Sequence, residues 1–165
     1  MSLARVRDVD PTYLVRLTLK DARGNLLAEN VYWESTTDDD VGTAKDDVQF
    51  KTTLVKWADF SALNSMPLGE VEVATHVSEV GGEKRVAIQL TNPGDHVAFF
   101  LRAEITSGAD GLEVLPITYD DNYVTVFPHE TRTIVATFNR ATVGKGATGL
   151  RVEGYNVEKK VVPVQ

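Results

Sequence analysis

Between Val114 and Phe138 the chain alternates apolar and polar residues in three short runs separated by turn residues. Leu115, Ile117 and Tyr119 alternate with Val114, Pro116 and Thr118, and Asp120-Asp121-Asn122 follows. Val124 and Val126 share one side of the next run, Pro128-His129-Glu130 breaks it, and Ile134, Ala136 and Phe138 line one face of the third. Successive side chains of a strand point to opposite faces, so a period of two interrupted by turn chemistry predicts three consecutive short strands.

The same period recurs along the chain. Tyr13, Val15, Leu17 and Leu19 alternate with Leu14, Arg16, Thr18 and Lys20; Asp21 to Asn25 supplies a hairpin turn, and Leu26 to Trp33 the return strand. Val71, Val73, Thr75 and Val77 share a face before a turn at Gly81-Gly82-Glu83, and Val86, Ile88 and Leu90 share one after it. Asn92-Pro93-Gly94-Asp95 is another turn; Val97, Phe99, Leu101, Ala103 and Ile105 then line one face, which leaves Ala98, Phe100, Arg102 and Glu104 on the other. After a glycine-rich connection at Ala141 to Thr148, Leu150 to Tyr155 reads as the last strand and Val161 to Gln165 as a tail. No 3.6-residue period extends beyond a turn, although Trp57 to Asn64 has room for a short helical turn. The pattern predicts an all-β sandwich of about seven to nine antiparallel strands with Greek-key connections. Val73, Ile88, Phe99, Leu101, Ile117, Ile134 and Phe138 are its expected core. Residues 1–11 read as a linker or cloning remnant, 12–157 as the sandwich and 158–165 as the tail.

Thr36 to Pro67 lacks this order. It is long for a connection, acidic through Asp38-Asp39-Asp40 and Asp46-Asp47, and bracketed by Trp33 and Trp57. It is expected to be pinned by aromatic packing at its ends and to be mobile around Asp38 to Asp47, where little but Val41 and Ala44 is apolar.

Composition narrows the picture. A (β/α)₈ barrel needs about 250 residues, more than the 165 present. The net charge of −7 argues against nucleic acid or an anionic membrane as partner and suits both solubility and a cationic ligand. The chain has no cysteine, which excludes disulfides, thiolate metal sites and cysteine nucleophiles. No apolar run approaches the roughly 20 residues of a membrane span, and no signal peptide is visible.

Catalytic chemistry finds little footing. Asp120 and Asp121 are adjacent, so on a strand they point apart, whereas glycosidase carboxyl groups face each other across about 5 to 9.5 Å; Asp121 and Asn122 suit the turn's own backbone better. The five loop aspartates can offer oxygens to calcium, but EF-hand spacing is absent. His76, His96 and His129 have no metal-ligand spacing, no serine has a nucleophile-elbow context, and no phosphate loop is present. No cofactor is expected. The aromatics leave two readings open. Trp33, Trp57, Tyr119, Tyr123 and Tyr155 can stack on sugars or fill a core or interface, and an outward Phe100 is either covered by the long loop or an anchor for a neighbouring domain.

Asp121-Asn122-Tyr123, followed by β-formers, Pro128, Glu130, Thr131 and an alternating strand, resembles a motif near the C-terminus of family 2 glycoside hydrolases of the β-mannosidase and exo-β-D-glucosaminidase group. His129 stands where that motif has glycine. Asn30-Val31-Tyr32-Trp33, Trp57 to Asn64, Ala98 to Arg102 and Val152-Glu153-Gly154-Tyr155-Asn156 agree in order, while Glu34 departs from the usual apolar residue. The acidic insert between Trp33 and Trp57 looks most like the exo-β-D-glucosaminidase branch. The resemblance implies an immunoglobulin-like (fibronectin III-like) accessory domain without the catalytic barrel. Its implied partners are the parent's other domains and an amino-sugar or mannose oligosaccharide. The implied parent is secreted or periplasmic and removes a terminal β-linked sugar by a retaining mechanism with two barrel glutamates. The residues expected to meet sugar or neighbouring domains are Trp57, Phe100, Tyr119, Asp38, Asp39 and Asp40. A carbohydrate-binding module and a free-standing adhesion sandwich are the alternatives.

Overall fold

The alternation between Tyr13 and Trp33 becomes an antiparallel ribbon of β1 (Thr12–Lys20) and β2 (Leu26–Ser35) in the computed structural model, which describes residues 9–41, 54–108, 111–143 and 148–165. Asp46, Asp47 and the middle of the acidic loop lie outside the described residues. Asp21 closes the ribbon: its carboxylate accepts the Arg23 and Asn25 N–H groups, each at 2.8 Å, and the Asn25 side-chain amide at 2.9 Å. These bonds, the Asn25 amide's foremost, hold its carboxyl below the ordinary carboxylate value. Gly24 takes a φ of 86°, which only glycine adopts freely.

The chain divides into two compact units, Met1–Met66 and Pro67–Gln165. In the first, β1 and β2 form a two-stranded sheet of their own among the described residues, rather than strands of the expected sandwich. β3 (Asp40–Val41) pairs with β4 (Leu54–Lys56), and a 3₁₀ turn spans Ser61–Ser65, overlapping the end of the stretch read as a short helical turn. Polar bonds hold the described ends of the acidic connection. Ser35 Oγ accepts the Thr37 and Asp59 N–H groups at 3.0 Å, Asp39 accepts the Ala58 N–H at 2.7 Å, and the Thr12 hydroxyl donates to the Asp59 carbonyl at 3.0 Å. Asp59 in turn accepts from Ser61, whose side chain and N–H hold the Asp59 carboxyl low.

The second unit is the sandwich. β5 (Glu72–Val80), β6 (Glu83–Thr91), β7 (Ala98–Ser107), β8 (Ile117–Tyr119), β9 (Val124–Val126), β10 (Thr131–Asn139), β11 (Thr148–Glu153) and β12 (Lys160–Pro163) form two antiparallel four-stranded sheets, ordered β5-β6-β10-β8 and β12-β11-β7-β9. The three strands read between Val114 and Phe138 are β8, β9 and β10, and the middle one belongs to the opposite sheet. The stretch read as a tail is a strand: Lys160 to Pro163 pairs with Gly149 to Val152. Gly81 and Gly82, both at positive φ, make the two-residue β5–β6 turn that the right-handed strand twist favours.

Val86, Ile88, Leu90, Ile134, Ala136 and Phe138 of one sheet meet Ala98, Leu101, Ala103, Ile105, Leu150 and Val152 of the other in the core. Of the expected core, Ile88, Leu101, Ile134 and Phe138 are in it, and Val73 and Ile117 pack half-buried against it. Phe99 is buried but outside that cluster, because β7 is bulged. Ala98 faces Val126 and Leu101 faces Val124, so Phe99 and Phe100 together oppose Thr125. Phe100 takes the left-handed conformation, φ 58°, that the bulge needs. The extra residue resets the alternation, and Ala98 rather than Val97 joins Leu101 in the core.

Candidate functional site: the outer face of the β7 sheet

The polar residues of the central motif are spent on backbone. β9 begins at Val124, opposite Leu101, which leaves the edge of β7 beyond Leu101 without a neighbouring strand among the described residues. Asn122 substitutes for one: its side-chain oxygen accepts the Ala103 N–H and its amide donates to the Ala103 carbonyl, both at 2.9 Å. One step further the Ile105 N–H donates to the Tyr119 hydroxyl at 2.9 Å, and the Val114 N–H donates to the Ile105 carbonyl. Asp121 binds Arg132 at 2.7 Å and Asp120 accepts the Val135 N–H at 2.7 Å, so the two carboxylates diverge, as adjacent positions require. His129 sits in a turn at a backbone conformation that glycine adopts freely. It occupies the glycine position of a Phe127-Pro128-His129-Glu130 turn at φ 61°, with Glu130 N–H donating to the Phe127 carbonyl.

Two other asparagines act in the same way. Asn156 is buried; it accepts the Phe99 N–H at 2.8 Å and donates to the Pro67 and Val97 carbonyls at 2.7 Å each. Asn92, fully buried, donates to the His96 and Val126 carbonyls and accepts the Gly94 N–H. Sequence reasoning placed Asn92 and Asn122 in turns and Asn156 in a motif, without these partners. Their one available signal was an amide, which can donate and accept at once, beside a strand end.

What remains accessible is an aromatic surface on the bulge. The Phe100 and Tyr123 rings lie 5.1 Å apart, Phe99 sits 5.7 Å from Phe100, and Tyr155 meets Phe99 edge-on at 5.9 Å. Phe100, Tyr123 and Tyr155 are 37%, 50% and 51% exposed. Beside them Arg102 and Glu104 of β7 face Glu153 and Arg151 of β11 in register. Glu104, 5% exposed, receives Arg102 at 3.0 Å and Arg151 at 2.9 Å, while Arg102 also reaches Glu113 at 3.4 Å and Glu153 at 3.8 Å. A carboxylate this buried needs both guanidinium partners to offset its desolvation.

The expected site residues fall in separate places. Phe100 joins the aromatic surface. Tyr119 packs against the core, and its hydroxyl links the two sheets; burial, the largest influence, pushes its pKa above the ordinary 10.0. Trp57 is 68% exposed and follows β4 in the first unit, where Asp40 faces Lys56 and Asp39 holds the Ala58 N–H. Asp38 is exposed there too. Among the described residues no three His, Cys, Asp or Glu side chains gather as metal ligands, and no helix is long and apolar enough to cross a membrane.

Residues 49–157 match the family described as the exo-beta-D-glucosaminidase Ig-fold domain. The chain is 35% identical over 162 residues to an exo-beta-D-glucosaminidase of Arthroderma benhamiae, covering 97% of this chain and 17% of that protein. It is 30% identical over 161 residues to one of Streptomyces avermitilis, covering 96% and 18%. The crystal structure of Amycolatopsis orientalis exo-chitosanase CsxA superposes with a TM-score of 0.90 at 27% identity, over 98% of this chain and 19% of that one. The chain thus spans less than a fifth of the length of these relatives. With its two antiparallel sheets and its asparagine-capped edge, it belongs to the exo-beta-D-glucosaminidase Ig-fold domain family.

Proposed function

We propose that this chain is a non-catalytic accessory domain of an exo-acting glycoside hydrolase that removes glucosamine from β-linked oligosaccharides, and that it packs against the parent's other domains at the edge of the substrate cleft. The observation that carries this is similarity along nearly the whole chain to under a fifth of exo-beta-D-glucosaminidases. These relatives favour glucosamine over mannose as the parent's sugar. The first unit supports the packing role: Leu17, Leu19, Leu26, Leu27, Tyr32 and Trp33 of the ribbon are exposed, more apolar surface than a two-stranded ribbon can leave in water. Asp38 and Asp40 are exposed, and on this reading their carboxylates attract a cationic oligosaccharide.

The test is complementation. The parent lacking this segment is expressed alone and with this chain added in trans, and hydrolysis of an aryl β-D-glucosaminide is followed. The chain alone should be inactive, and its addition should restore activity to the truncated parent and co-purify with it. Turnover by the chain alone, or a truncated parent as active and stable as the full one, would contradict the accessory role. In the full-length parent, replacing Asp38 and Asp40 together by asparagine should raise KM for a glucosamine oligomer at low salt with kcat little changed. Salt should erase the difference, because such attraction is screened over about 8 Å at physiological ionic strength.

A further inference from the structure

Phe100 and Tyr123 are both aromatic, both in the left-handed backbone region at φ 58° and 56°, and in contact with each other. Bulky side chains avoid this region because Cβ crowds the neighbouring carbonyl, and backbone strain of this kind gathers at ligand-binding positions. The core does not call for either ring, since both are exposed and neither belongs to it. A bulge alone would be met as well by glycine or asparagine. The backbone therefore holds two rings outward side by side, and the half-exposed Tyr155 meets the buried Phe99 that Phe100 also touches.

The charge beside the rings has a sign. Three carboxylates, Glu104, Glu113 and Glu153, share two guanidinium groups, Arg102 and Arg151. Glu104 takes the shorter contacts, which leaves Glu153 only a 3.8 Å approach to Arg102 and a side chain 43% exposed. Glu153 stands two residues before Tyr155, and Arg102, its cross-strand partner, two after Phe100. Rings that attract a cation to their faces thus flank in sequence a cross-strand pair whose carboxylate is only loosely compensated.

We infer that this face binds a β-linked glucosamine chain, with the apolar face of a sugar ring against Tyr123 and Tyr155 and the ammonium group at C2 directed to the aromatic faces and Glu153. The inference rests on the reading that the parent works on glucosamine oligosaccharides, and it adds a place on this domain that holds the polymer. An N-acetylated chain loses both the cation–π attraction and the ion pair, so the site selects the free amine.

The experiment is a calorimetric titration of this chain with a glucosamine oligomer and with its N-acetylated counterpart of equal length, at low salt and at a pH where the amine is protonated. Saturable binding is expected, with the acetylated oligomer about tenfold weaker, a difference of about 1.4 kcal/mol. Tyr123→Ala should weaken the glucosamine oligomer by about tenfold or more while the melting temperature stays level, and Glu153→Gln should narrow the preference for the free amine. Should Tyr123→Ala fail to fold, Tyr155→Ala, outside the strained backbone, carries the same expectation. Absence of saturable binding, or binding that survives both tyrosine variants, overturns the inference. So does finding that these rings become protected from solvent when the chain assembles with the truncated parent, which would make the face a domain contact. Failure of the accessory role itself would show in the complementation assay and not in this titration.

Discussion

The strands of the sandwich and the β1–β2 ribbon are built from similar residues in opposite surroundings. β6 and β10 place Val86, Ile88, Leu90, Ile134, Ala136 and Phe138 against a second sheet, and all six are buried. The ribbon brings Val15, Leu17 and Leu19 alongside Tyr32 and Ala28 on one face and Leu14 alongside Trp33 on the other, yet Leu17, Leu19, Tyr32 and Trp33 are exposed. Alternation thus reports which side of a strand is apolar, not whether anything covers that side. In the sandwich the partner sheet comes from the same chain; for the ribbon, on the reading above, other domains of the parent supply it.

The largest contrast should come from one truncation in each region. Leu101→Ala removes a fully buried side chain at the centre of the sandwich and should cost about 2–5 kcal/mol in denaturant unfolding. Leu19→Ala on the ribbon should change stability by no more than about 0.5 kcal/mol in this chain. Adding the rest of the parent should make the ribbon variant costly as well; if it stays silent there, the ribbon is not a packing surface.

Next comes Asn156→Ala. It leaves the Phe99 N–H and the Pro67 and Val97 carbonyls without their partner, and a buried unsatisfied group costs about 1–3 kcal/mol, so a loss of about 2–4 kcal/mol is expected by thermal or denaturant melting. An effect below about 1 kcal/mol would mean that water replaces the amide. Tyr119→Phe tests the link between the sheets. It should cost about 1 kcal/mol near neutrality, because the Ile105 N–H loses its acceptor. The Tyr119 pKa is raised in the fold, so this phenol's contribution is complete below the ordinary 10.0 and is lost as pH rises through the folded value. The gap between wild type and variant should therefore narrow in alkali, and a gap constant with pH would count against a buried phenol. The smallest effect belongs to His129. His129→Gly should be neutral or stabilising by up to about 1 kcal/mol, since relief of the left-handed strain offsets the added freedom of the unfolded chain, whereas His129→Val should destabilise.

Most of the sandwich was legible in sequence because each of its strands keeps one face in a core. Val86 to Leu90 and Ile134 to Phe138 fell on the faces that their period assigns. The misreadings have physical causes. The bulge at Phe99 and Phe100 inserts one residue, and no residue-type signal marked it, since the left-handed position is held by phenylalanine where glycine or asparagine would have announced it. Val161 to Pro163 is too short to show a period and became a strand through its partner, β11. The ribbon was legible as a hairpin but not as a separate unit, because alternation reports local pairing and not how the chain divides. Phe100 was legible as outward-facing; its pairing with Tyr123 was not, because it depends on the bulge and on β9 crossing to the β7 sheet.

The side-chain capping of β7 also bears on how this protein behaves in a crowd. A strand edge with free N–H and C=O groups is a template onto which a strand from another molecule can add, the first step toward fibrils or swapped dimers. β9 is only three residues long, so half of the β7 edge would be such a template. Asn122, Tyr119 and Val114 occupy its hydrogen-bonding groups at Ala103 and Ile105 in turn, and a side-chain amide or phenol cannot be extended into a further strand. The Asp-Asn-Tyr turn therefore makes β7 a dead end for self-assembly, and loss of Asn122 would reopen the register at which a second molecule could begin to polymerise.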